Sequence, residues 1–131
     1  MIDLNRAVVC CPPELTARER KAVAMLIDEV EKRTRLRWAC ADRWPEAPVL
    51  VIAVGQPAAF AGRLPGEDHT TASEGYRIRV QPPSVFVIGD DERGVLFGVG
   101  HLLRNLRMSP GTIGLPAALR VTTAPRYRLR G

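Results

Sequence analysis

The chain has 131 residues, 46% of them hydrophobic, and a formal net charge of +5. That length fits one globular domain with a real core, and the charge comes almost wholly from arginines dispersed among acids, with Lys21 and Lys32 the only lysines. A mixed surface of this kind with 5% aromatics argues against nucleic-acid partners, and no run approaches the roughly 18 apolar residues of a membrane span.

The opening MIDLNR has no signal-peptide core, and the compartment stays open. AVVCC (7–11) reads as a short buried strand ended by Pro12 and Pro13, which have no amide to give a ladder. Thr16 and Glu19 have the spacing of a capping box. Val23, Leu26, Ile27 and Val30 then recur at i, i+3, i+4 and i+7, which predicts an amphipathic helix over 16–35. PVLVIAVG (48–55) is apolar on both faces and reads as a central strand. Residues 56–73 show no period and read as a long connection.

EGYRIRVQ (74–81) alternates, with Tyr76, Ile78 and Val80 on one face and Arg77, Arg79 and Gln81 on the other. SVFVIG (84–89) follows across Pro82 and Pro83, too few residues for a crossover, so the two strands should pair as an antiparallel hairpin. LRVTT (119–123) alternates again, with Arg120 and Thr122 opposite Leu119 and Val121. Arginines at pleat positions imply a sheet with one wet face and two helices sharing the other. The expected architecture is α+β: a two-layer sandwich with a mixed or mainly antiparallel sheet and two helices on one face.

DDERGVLFGVGHLLRNL (90–106) supplies the second helix. Asp90 or Asp91 can cap it, and Val95, Val99, Leu102 and Leu106 form its apolar stripe, with Leu103 beside them. Three glycines interrupt it, each costing up to about 1 kcal/mol against alanine, which burial of the stripe outweighs. On a helical wheel Phe97 lies opposite the stripe. Gly94, Phe97, Gly98 and His101 are therefore expected to form a second contact surface, with the glycines admitting another backbone. The alternatives are a stray exposed aromatic, or glycines that only fit this helix to the first.

Chemistry-bearing motifs are absent. Phosphate-loop and dinucleotide glycine spacings do not occur, Ser73, Ser84 and Ser109 lack nucleophile-elbow glycines, and Asp90, Asp91 and Glu92 read as helix capping rather than an acid pair. His69 and His101 stand alone and Cys40 has no ligand two residues away, so no metal or cofactor is expected. Three cysteines cannot all pair. The adjacent Cys10 and Cys11 point to opposite faces and read as buried strand thiols.

The runs EGYRIRV, VFVIGDDERGVLFGVGHLLRNL and TTAPRYRLRG resemble the non-catalytic α/β domain that precedes the catalytic barrel in glycoside hydrolases: β-N-acetylhexosaminidases of family 20, α-glucuronidases of family 67 and hyaluronidase-like enzymes of family 84. The match is good over 74–131 and loose before it. The resemblance implies that the two helices are buried against a (β/α)8 barrel. It also implies that residues 1–124 are the accessory domain and 125–131 the start of the link to the barrel. Arg130 and Gly131 match an Arg-Gly at the entry of the first barrel strand, whose guanidinium hydrogen-bonds sugar hydroxyls. The family's catalytic Asp-Glu pair has no counterpart, so this chain is expected to be non-catalytic and its parent an O-glycoside hydrolase, with a substrate-assisted retaining mechanism if family 20 is the right branch. The competing expectation is a stand-alone module: one that binds carbohydrate through Arg77 and Arg79, or a homodimer formed through Phe97.

Overall fold

A computed structural model describes residues 1–46, 48–60 and 75–123. In chain order the elements are β1 (Ile2–Asp3), β2 (Val8–Cys10), α1 (Ala17–Thr34), β3 (Ala39–Ala41), β4 (Val51–Gly55), a 3-10 turn (Pro57–Phe60), β5 (Tyr76–Gln81), β6 (Ser84–Gly89), α2 (Glu92–Asn105), β7 (Arg107–Ser109), β8 (Thr112–Leu115) and β9 (Arg120–Thr123). The fold is α+β, with two helices, one mixed sheet ordered β3-β2-β4-β6-β5-β9 and one antiparallel sheet ordered β1-β8-β7.

Helix α1 begins where its capping box places it. Thr16 Oγ1 accepts from the Glu19 amide at 3.1 Å and Glu19 Oε1 accepts from the Thr16 amide at 2.9 Å. The helix stops at Arg35, whose φ of 69° turns the chain out of helical geometry. Val23, Leu26, Ile27 and Val30 are buried as their spacing requires. They join Val95, Val99 and Leu102 of α2 over Val9, Ile52, Val54, Ile78, Val85 and Val87 of the large sheet. Burial of side chains this size contributes about 1.5–3 kcal/mol each, which makes this cluster the main source of stability.

The expected hairpin is present in full register, from Tyr76 opposite Gly89 to Gln81 opposite Ser84. Strands β3, β2, β4 and β6 run parallel, and the antiparallel pairs in this sheet are those of β5 with β6 and with β9. The expectation of one wet face is corrected. Cys10, Val51, Ala53, Phe60, Phe86 and Ile88 form a second buried apolar cluster on the face away from the helices, and Arg77 and Arg79 are only 5% and 3% exposed. Arg79 lies over the edge strand, donating to the Val121 carbonyl and the Thr122 hydroxyl at 2.6 Å each. Polar alternation belongs to the outer strands β5 and β9, where Gln81, Arg120 and Thr122 are exposed. The parallel centre is apolar on both sides because it is covered on both sides.

The cysteine reading is also corrected in part. Cys10 and Cys11 do point to opposite faces, and Cys10 is a buried thiol. Cys11 is instead joined to Cys40 by a disulfide that ties β2 to its parallel neighbour β3. The small sheet was not expected. Its β7–β8 hairpin turns through Pro110 and Gly111, whose φ of 79° suits the third position of a tight turn. It is anchored by Asn5, which accepts from the Ile113 amide at 2.7 Å, and by Trp38, whose indole N–H donates to the Leu4 carbonyl at 2.7 Å.

The glycines of α2 are explained within the domain. A β carbon at Gly94 would fall onto the Gly75 carbonyl oxygen, and one at Gly98 would lie 2.8 Å from Val87 Cγ1. Bare α carbons thus seat the helix directly on β5 and β6. Gly100 is different: the nearest atom to its β carbon would be the far end of Arg104 at 3.6 Å. Gly94→Ala should therefore destabilise the protein by more than about 2 kcal/mol, because the obstacle is backbone. Gly100→Ala should stabilise it by about 0.5–1 kcal/mol, the helix-propensity difference. Opposite shifts of the two urea midpoints are the expected result.

Candidate docking surface on the second helix

Asp91 caps α2, with its carboxylate accepting from the Gly94 amide at 2.8 Å. Glu92, in the first turn, accepts from the Thr16 hydroxyl at 2.6 Å and pairs with Arg18 at 3.8 Å, which draws the starts of the two helices together. The acidic cluster is thus engaged in helix capping and helix pairing. Among the described residues, no group of three His, Cys, Asp or Glu side chains could hold a metal ion.

With Val95, Val99 and Leu102 turned into the core and Gly94 and Gly98 set against the strands, the remaining side of α2 carries Phe97 to solvent. Phe97 is 48% exposed, and of the described residues only Met1 and Met25 are large hydrophobics more exposed than it. The structure separates the four residues expected to act as one surface. Gly94 and Gly98 are buried and face β5 and β6. His101 is half-buried on the flank nearer β5, and Phe97 projects outward.

Sequence reading missed the partner of His101. Tyr76, half-buried on β5, places its hydroxyl 2.8 Å from His101 Nδ1, and the two rings meet edge to face at 5.6 Å. Gly98 makes this possible, because a β carbon there would already lie 3.4 Å from Tyr76 Cβ. The alternation that put Tyr76 on the helical face was the available signal. Arg130 and Gly131 lie outside the described residues, as does His69.

Burial holds the His101 imidazole below the ordinary histidine pKa, and the nearby Arg104 charge acts in the same direction. The folded state therefore binds the proton less well than the unfolded chain. The stability this contributes is present above pH 6.5 and is lost as the pH falls below it, toward the lowered folded-state value. His101→Asn should flatten the fall in denaturation midpoint between pH 7.5 and pH 5.5 relative to the unaltered chain, with the remaining slope due to carboxylates.

No protein-family model matches the chain, and no curated protein matches it in sequence. Solved structures do match in fold. A family GH115 4-O-methyl-alpha-glucuronidase, BtGH115A, described as specific for decorated arabinogalactans, superposes with TM-score 0.71 at 14% identity, over 92% of this chain and 17% of its own. CpGH84B gives 0.59 at 11% identity over 86% of this chain and 18% of its own. A mutant beta-hexosaminidase of Streptomyces plicatus, in complex with its product GlcNAc, gives 0.59 at 15% identity over 97% and 23%. The chain thus has the fold of a segment that makes up about a fifth of each of these three proteins.

Proposed function

We propose that this chain is an accessory domain of a larger glycoside hydrolase, packing through the outer side of its helical layer on a catalytic (β/α)8 barrel and performing no hydrolysis itself. The observation that carries the reading is Phe97, a large aromatic held outward on a helix whose other sides are consumed by the core and the strands. An apolar group so placed favours burial against a neighbour. The similarity in fold to segments of much longer glycoside hydrolases supports the choice of neighbour. Under this reading Arg130 and Gly131 stand at the junction with the barrel, and the Arg130 guanidinium offers paired donors to sugar hydroxyls.

Two measurements test it. The isolated chain should show no turnover of aryl glycosides above the uncatalysed rate, and turnover would end the non-catalytic assignment. Phe97→Asp should leave the isolated chain within about 0.5 kcal/mol of its original stability, since the site is exposed. The same change in the full-length polypeptide should lower the domain's unfolding free energy by at least about 1 kcal/mol, because the charge is then buried against the barrel. Equal behaviour in both settings would sink the docking surface.

A further inference from the structure

Strands β2, β3 and β4 are parallel, so their carboxyl ends lie along one edge of the sheet. The chain leaves β2 toward the helical face, where Leu15 and α1 enter the core beside Cys11. It leaves β4 toward the opposite face, where Phe60 packs on Cys10, Ala53 and Phe86. Neighbouring parallel strands whose exits part in this way open a crevice beyond their ends, the usual location of ligands in open sheets.

A cavity of about 220 Å³ occupies that position, lined by Cys10, Glu14, Asp42, Arg43, Trp44 and Phe60. The loops after all three parallel strands contribute to it. Its volume lies below the roughly 300 Å³ at which pockets for larger organic ligands begin, so it suits one small ring. The aromatic wall is rigid: Trp44 stacks on Phe86 at 6.0 Å, and Phe86 meets Phe60 edge to face at 5.8 Å. The rim is polar, with Glu14, Asp42 and Arg43 all exposed.

The charge balance selects the ligand. Among the described residues Glu14 and Asp42 oppose Arg43 in the lining, and the Arg20 guanidinium beside it donates to the Pro12 and Pro13 carbonyls, so these charges balance and leave no net positive charge to attract an anion. The start of α1 offers a phosphate little. Its Thr16 and Glu19 amides are already taken by the capping box, and the Glu19 carboxylate stands there, held also by Gln56 at 2.7 Å. What fits is an uncharged molecule with one apolar face for the indole and several hydroxyls, which donate to carboxylates and accept from the arginine fork. A pyranose has these properties together. We propose that the strand-end pocket binds a single uncharged pyranose unit of a glycan, with Trp44 under its C–H face and Asp42, Arg43 and Glu14 on its hydroxyls. The site lies apart from the α2 surface and does not rest on the docking reading.

Saturation-transfer NMR and calorimetric titration of the 131-residue chain test this, with methyl β-D-glucopyranoside and N-acetylglucosamine as probes and glucuronate as the charged control. At least one neutral probe should bind with a dissociation constant on the order of 1 mM. Trp44→Ala and Asp42→Ala should each weaken binding about tenfold or more, and Phe97→Asp should leave it unchanged. Asp42→Ala is decisive, because its exposed side chain lies outside the apolar cluster and its loss leaves the fold intact. No saturation transfer to either neutral probe at about 50 mM, unchanged affinity in Asp42→Ala, or tighter binding of glucuronate would each overturn the proposal. Loss of binding in Phe97→Asp would overturn the separation of the two sites.

Discussion

Helix α2 rests on the β5–β6 hairpin through bare α carbons, Gly94 against backbone and Gly98 against the Val87 and Tyr76 side chains, and much of the domain follows from that contact. A helix seated on bare α carbons is fixed in rotation as well as in distance. Val95, Val99 and Leu102 must then enter the core, and Phe97 must leave it. The same closeness lets Tyr76 reach across to His101. The glycines cost helix propensity, and the apolar stripe they bring into register returns several times as much by burial. The outward aromatic is thus a consequence of how the inside is packed.

The sheet divides into two halves with different logic. Strands β5 and β9 run antiparallel to their neighbours and carry polar residues toward the outer edge, whereas β3, β2, β4 and β6 are parallel, with β4 and nearly all of β6 buried and β3 forming an exposed edge. Parallel strands need crossovers, and α1 is the one that carries the chain from β2 to β3. Placing β4 on the other side of β2 makes the exits diverge and opens the strand-end cavity. One half of the domain thus presents the helix flank that carries Phe97, and the other a concave strand-end edge.

What was legible in the sequence was whatever depends on neighbours along the chain. The capping box at Thr16 and Glu19, the stripes of both helices and the β5–β6 pairing each follow from spacing, and each is present; the cap of α2 was narrowed to Asp90 or Asp91, and the structure gives it to Asp91. The outward position of Phe97 follows in the same way, since a helical period assigns every residue to a side once the stripe is known. The short strands β1, β3, β7 and β8 were not read, because at two to four residues they have neither the apolar run that marked β2 nor the flanking alternation that marked β9. Only the Pro110–Gly111 turn marked the last two.

Tertiary structure alone decided the rest. Alternation in β5 and β9 was extended to the whole sheet, but strand order places those two together at one side and leaves the apolar strands to be covered on both faces. Cys40 meets Cys11 because β3 returns beside β2 after a helix, a pairing across 29 positions that local pattern cannot encode. The partners of Gly94, Gly98 and His101, and the meeting of three loops around Trp44, are likewise contacts between distant segments. Sequence by itself determined which residues form helices and strands and which sides of them are apolar, because these are periodic properties of a short stretch. Which apolar side meets which, and what space is left over, was set by strand order and close packing, which no single stretch contains.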